Sequence, residues 1–386
     1  MTTSTTPAPP ATDPAPRGSV PAAPGSSDDA PSRWPRFELD PARSATEPPE
    51  ARGLERDEVR LLVAASDSVH HTRFRGLPQH LSPGDLVVVN TSATLPAAID
   101  ATRHDGQHVV VHVSGPTRGG EATWLVELRR PDGHGPVTDG HVGEVLALSG
   151  GRTVRLVAAH PDPDAATNHR LWHATTAGTD LTSELARHGR PISYGYLRDR
   201  WPLRHYQPVF ARDPGSAEMA SAGRPFTDRL VTELAVHGVP VAPIELHAGV
   251  SSLETGEDPP PERFRVPRPT ARLVRHTRRH GGRIVAVGTT VTRALESALD
   301  HHDTVRARDG WTDLVLGPDR PAKVVTGLVT GWHAPDASHL RLLDAVAGRG
   351  LVDQAYDAAL ADAYRWHEFG DSCLLLPPMV AGPAVA

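Results

Sequence analysis

The sequence predicts a mixed α/β protein in which a small all-β unit interrupts a larger domain. Three observations carry this. At 386 residues the chain is long enough for two domains with a substantial core. Between about residues 97 and 160, short apolar strands separated by Gly, Asp and Pro turns show no helical period. After about residue 175 the pattern changes to helices alternating with apolar strands.

The elements follow in order. Residues 1–34 are Pro, Ala, Ser and Thr with one aromatic, Trp34, so they offer too little apolar surface to offset the entropy of ordering and predict a flexible tail. Apolar positions recur from Phe37 onward. The run LSPGDLVVVN, residues 81–90, reads as a turn feeding a buried strand. HVVVHVSG, ATWLVELRR, EVLALSG and RTVRLVAAH are the strands of the β unit. In TDRLVTELAVHG, Leu230, Val231 and Leu234 share a helical face, with Thr227 or Asp228 as N-cap and Gly238 as the stop. A strand over Val241–Leu246 follows. Arg283–Val287 predicts another, ending in a Gly-Thr-Thr turn and a helix from near Val291. A last helix, about Val352–Tyr364, precedes the apolar strand in FGDSCLLL. The boundaries expected are 35–96 and 161–380 for the large domain and 97–160 for the insertion.

Composition narrows the function. A formal net charge of −6 argues against a protein that coats nucleic acid non-specifically, because phosphate binding draws on a positive surface. A local basic face stays open. The single cysteine, Cys373, forms no intrachain disulfide, and no Cys/His array has zinc spacing, so no metal is expected. No signal-peptide pattern opens the chain, and no apolar run approaches the roughly 20 residues that span a bilayer. A cytoplasmic protein without a membrane partner is expected.

Candidate chemistry concentrates at strand ends. The turn Gly288-Thr289-Thr290 leaves backbone N–H groups free at a helix start, which attracts anions. It lacks the Gly-x-Gly-x-x-Gly spacing of a dinucleotide site. His247 and His333 each follow an apolar strand, where either a proton-transferring imidazole or a buried structural histidine would sit. Asp371 in FGDS is a turn residue or a carboxylate base. Gly370-Asp371-Ser372 closes the folded region and so does not fit a Gly-Asp-Ser hydrolase, and His276 and His280 lack a carboxylate to complete a metal site. Residues 263–283 hold eight arginines and no acid, a phosphate-binding stretch or a solvated helix face. Arg275, Arg278 and Arg279 are the candidates there for nucleic acid.

Taken in order over about residues 36–377, these segments resemble the S-adenosylmethionine:tRNA ribosyltransferase-isomerase family of queuosine synthesis. The resemblance is carried by Arg56-Asp57, Arg60-Leu61-Leu62, His71, Phe74, Pro83-Gly84-Asp85-Leu86, Asn90, Pro96, Tyr206-Gln207, Pro214-Gly215, Ala222-Gly223, Phe226, Leu246-His247 and Gly249. VGTTVTRALES from Val287 to Ser297, His333, Pro335, Gly348, Tyr364-Arg365 and Gly370-Asp371 continue it. It implies a large, barrel-like α/β domain with an inserted β-barrel domain. It also implies that the ribosyl part of S-adenosylmethionine, a cosubstrate, moves to a 7-aminomethyl-7-deazaguanine base in tRNA, with loss of adenine and methionine and isomerisation.

His247, His333 and Asp371 are then the residue types for proton transfer, and Asn90, Gly249, Gly288, Thr289, Thr290, Arg293 and Glu296 those for the cosubstrate. Arg293 and Glu296, three apart on one helix, are expected to face it or its supporting residues. The chain departs from the family pattern at Ala93 and Ala98, where arginines are usual, at Val109 for a glutamate, at Gly331-Trp332 for Asn-Phe, and at Pro225 for a histidine. Proline cannot ionise. Two other readings are a paralogue with a small-molecule acceptor and a non-catalytic S-adenosylmethionine-binding protein. Arginines of residues 263–283 on the cleft face would favour tRNA, and on the opposite side a small acceptor.

Overall fold

The computed structural model describes residues 37–379, apart from 67, 119, 134, 162–168, 177, 179, 180, 251–258 and 336. The tail expected over residues 1–34 lies outside the described residues. The first part of the chain gives β1 (Arg60–Ala65), β2 (Ser68–Arg73), β3 (Leu86–Asn90) and β4 (Ser92–Thr94). The insertion follows with β5 (Ala98–Thr102), β6 (His108–Thr117), β7 (Gly120–Arg129), β8 (Val145–Leu148), β9 (Thr153–His160), β10 (Leu171–Thr176) and α1 (Leu181–His188). The chain then returns through β11 (Asp213–Ser216), α2 (Asp228–Val236), β12 (Val241–Leu246), β13 (Glu262–Val266), α3 (Arg268–Arg279), β14 (Ile284–Val287) and α4 (Thr289–Ser297). It ends with β15 (Arg308–Thr312), β16 (Gly327–Gly331), α5 (His339–Ala347), α6 (Arg349–Ala361) and β17 (Ser372–Leu376).

The large domain is one mixed nine-stranded sheet in the order β15-β13-β12-β3-β14-β16-β17-β1-β2. Its centre, β12-β3-β14-β16, is parallel. Central strands read as apolar runs because both faces are covered: LVVVN and IVAV are buried at every position. Alternate residues Val87, Val89, Val285, Val287, Val329 and Leu374 pack with Phe74, Phe226, Leu230 and Leu234 in one cluster, with the two phenylalanine rings edge to face at 5.0 Å. Thr227 caps α2 by accepting the Leu230 N–H at 3.1 Å, as its sequence predicts.

Among the described residues this sheet runs open from β15 to β2. Its outermost strands explain why. β2 (SVHHTR) and β15 (RDGWT) leave most of their side chains partly or fully exposed, so neither suits a position between two neighbours in a closed wall.

The inserted unit does close, in the order β10-β7-β6-β5-β8-β9 with β9 paired to β10. The barrel interior is filled by Ile99, Val111, Val126, Leu128, Leu146 and Leu156, and α1 adds Leu181 and Leu185 to the same cluster. Because β10 completes it, the barrel extends past residue 160, where the sequence pattern placed its end. A small parallel pair joins β4, which precedes the insertion, to β11, which follows it.

Candidate active site

The carboxyl ends of β3, β12, β14 and β16 lie side by side, the place where open α/β sheets bind ligands. A cavity of about 500 Å³ opens there, lined by Gly288, Thr289 and Thr290 after β14 and by Thr330, Trp332 and His333 at the end of β16. β17 runs antiparallel to β16 with Ser372 opposite Gly331, so the loop that enters it brings His367 and Glu368 to the same edge. Tyr194, Tyr196 and Glu218 reach the cavity from the segments that return from the barrel.

Gly288 makes the turn possible. Its φ of 91° is open to glycine and costly for other residues, and α4 begins at Thr289, two residues earlier than the residue types suggest. Among the described residues no side chain caps this helix start, which leaves its first N–H groups to meet an anion.

His333 lies with its Nε2 3.0 Å from Thr330 Oγ1 and its ring stacked on His339 at 4.6 Å. Burial, reinforced by the neighbouring His339 and His367, holds its pKa well below the usual histidine range. It is a neutral imidazole at pH 7. His339 is likewise pushed down, to about 4, by burial and then by Arg293. Opposite stand two tyrosine–carboxyl pairs: the Tyr194 hydroxyl donates to Glu218, and the Tyr196 hydroxyl donates to Glu368. Burial raises the pKa of Glu368 despite the tyrosine's hydrogen bond. Tyr196 and His367 stack at 4.2 Å with 14° between their planes.

The other predicted residues separate. His247 lines a second cavity of about 490 Å³ with Gly249, His160, His173, Glu262 and Trp311. Its Nε2 is 3.0 Å from Glu245 Oε1 and its Nδ1 2.8 Å from Ser92 Oγ, which lies 2.6 Å from Ser216 Oγ. A Cβ on Gly215 would fall 2.3 Å from His247 Nδ1, so only glycine admits this ring. His247 and His333 thus belong to different cavities.

Asp371 accepts the backbone N–H groups of Arg60 and Arg365, each at 2.8 Å, so both carboxylate oxygens are committed. It closes the loop that carries His367 and Glu368. Asn90 is a similar clamp: it accepts from the Ser92 and Leu246 N–H groups and donates to the Leu246 carbonyl, with Thr290 Oγ1 at 3.4 Å. Arg293 and Glu296 are both buried but diverge. Arg293 binds Glu262, whose other oxygen accepts the Gly249 N–H. Glu296 accepts the N–H groups of Lys323, Val324 and Val325. Neither lines the first cavity; Arg293 supports the second and Glu296 holds the segment leading to β16.

The arginines of α3 are also corrected. Arg275 donates to the Val305 carbonyl and Arg278 to those of Asp303 and Lys323. They occupy the helix end that leads to the start of β14, whereas the cavity lies beyond the end of that strand. The buried face, Thr270, Ala271, Val274 and Thr277, fixes this orientation.

The model of the family described as queuosine biosynthesis protein matches residues 35–375. The chain belongs to this family. It is 33% identical over 336 residues to an S-adenosylmethionine:tRNA ribosyltransferase-isomerase of Symbiobacterium thermophilum, covering 83% of this chain and 94% of that protein. To the enzyme of the same name from Thermotoga maritima it is 31% identical over 354 residues, covering 88% and 98%. A crystal structure of an S-adenosylmethionine tRNA ribosyltransferase from Thermotoga maritima aligns at 28% identity over 88% of this chain and 99% of that one, with a TM-score of 0.48.

Among the departures from the family pattern, one has a local explanation. Val109 is part of the barrel core, where a glutamate would need a partner. Arg224, before Pro225, is buried and bound to Glu50 at 2.8 Å and to the His205 carbonyl at 2.9 Å. The residues that sequence reasoning missed are Tyr194, Tyr196, Glu218, His339, His367 and Glu368. One signal was available: ISYGYL holds two of only five tyrosines in the chain.

Proposed function

We propose that the chain transfers the ribosyl part of S-adenosylmethionine to the 7-aminomethyl-7-deazaguanine base of a tRNA and isomerises it, releasing adenine and methionine. The observation that carries this reading is one cavity that gathers a free helix start, a neutral histidine and a half-buried carboxyl–tyrosine pair, in a chain of this family. Its volume of about 500 Å³ falls within the roughly 300–1,000 Å³ typical of small-molecule sites.

Each group suits one task. The free N–H groups at Thr289 and Thr290 suit the methionine carboxylate. His333, uncharged at neutral pH, has the lone pair to take a proton from carbon beside the sulfonium. Glu368, whose raised pKa favours the protonated form, suits proton donation to departing adenine. The stacked Tyr196 and His367 offer a flat surface to a purine. His247 and Asp371 become positioning residues. His247 secures the segment that presents Ala217 and Glu218, and Asp371 the loop that presents His367 and Glu368.

On the arginines of α3 alone, a small-molecule acceptor would gain. A different arginine group, beside the cavity, supports tRNA. The test is adenine release from S-adenosylmethionine by the full chain. Release only with tRNA bearing the deazaguanine precursor is expected. Release without tRNA, or tight binding without release, would overturn the reading in favour of a small acceptor or a sensor.

A further inference from the structure

A groove of about 330 Å³ adjoins the cavity and shares Arg129, Gly133, Tyr194 and Gly195 with it. It is bounded by the end of β7, the turn that follows, and residues 190–200. Five arginines line it against two acids, Asp132 and Asp199. Arg129 is anchored on the buried carboxylate of Glu127 at 2.9 Å, and Arg190 on Asp100 at 2.7 Å. The remaining three, Arg130, Arg198 and Arg200, are exposed, and their guanidinium groups form no ion pair with a described residue.

Charged side chains on a surface ordinarily intersperse signs. Here positive charge gathers beside the site in a chain whose net charge is −6. An enzyme that acts on a base within RNA takes it from a single-stranded segment or flips it out of its stack, which leaves the flanking phosphates at the mouth of the pocket. The groove meets the cavity at Tyr194, where such a mouth would lie.

We propose that this groove seats the tRNA backbone beside the modified base, with Arg130, Arg198 and Arg200 on its phosphates. The inference rests on the tRNA reading above and replaces the arginines of α3 as the nucleic-acid surface.

The test is binding of precursor tRNA to the full chain over a range of salt. Each lost phosphate contact on a single strand lowers the slope of log affinity against log salt by about 0.7. The triple variant R130Q/R198Q/R200Q should therefore flatten the slope by about 2 and weaken binding by at least about tenfold. The KM for tRNA should rise while kcat at saturation holds. R130K/R198K/R200K, which keeps the charges, should keep the slope, and R275Q/R278Q/R279Q in α3 should bind as the parent does. If the parent binds tRNA and the glutamine variant keeps its slope, the groove is not the surface. If the parent binds no tRNA at low salt, the tRNA reading falls and the groove with it.

Discussion

Burial decides which ionisable side chains of this protein can move a proton. His333 and Glu368 come from distant parts of the chain, yet desolvation shifts both toward their neutral forms, the imidazole down and the carboxyl up. These directions favour the imidazole as a proton acceptor and the carboxyl as a donor in the proposed reaction. In H333N and E368Q, kcat for adenine release should fall by about 10²–10⁴. E368Q should also lose the alkaline limb of the kcat profile and H333N the acidic limb. Profiles that keep both limbs would remove these residues from proton transfer. Burial raises the pKa of Asp371 in the same direction as that of Glu368. Its sequence setting suits a base, but two backbone N–H groups occupy its oxygens.

Loops between strands, more than the strands, place the candidate groups, and buried polar clamps at Asn90, Glu296 and Asp371 hold several of them. Asp371 spans the loop from Arg365, and the turn is so tight that a Cβ on Gly370 would lie 2.4 Å from the Arg365 carbonyl oxygen. Replacing Asp371 with alanine strands two N–H groups, at about 1–3 kcal/mol each. D371A should therefore melt lower than the parent, and kcat should fall because His367 and Glu368 lose their position. The shape of its kcat pH profile should not change. A lost limb would make Asp371 the base instead. Helix α4 belongs to the same account. Gly288 starts it, Arg293 within it supports Glu262 and Gly249, and Glu296 holds the residues before β16.

For the molecule as a whole, two shifted groups, His339 and Asp344, contribute to the response to pH in opposite senses. His339 titrates at about 4 in the folded chain, below its ordinary 6.5, so the unfolded chain binds the extra proton between those values. Its contribution to stability is complete above pH 6.5 and is lost as pH falls toward 4. Asp344 on α5 runs the other way. Burial, with Asp353 adding to it, raises it to about 6 from 3.8, and its Oδ1 has no hydrogen-bond partner among the described residues. The stability it lends is complete below 3.8 and is lost as pH rises through 6. The melting-temperature advantage of the parent over H339N should therefore shrink from pH 6.5 to 4. D344N should exceed the parent at pH 7 and lose that margin by pH 4. Margins that do not change with pH would contradict both assignments.

The sequence by itself determined the alternation of helix and strand, the four strands between His108 and His160, the glycine turn at 288 and the ordered set of residues that places the chain in its family. These follow from local periodicity, turn chemistry and residue order, which survive without knowledge of contacts. Only the tertiary structure decided that β10 closes the barrel, that His247 and His333 face different cavities, and that Glu368 and Tyr196 meet. It also decided that the arginines of α3 lie at the far end of the strands. Each of these depends on sheet order and on which atoms exclude water from which, and neither is encoded at short range along the chain.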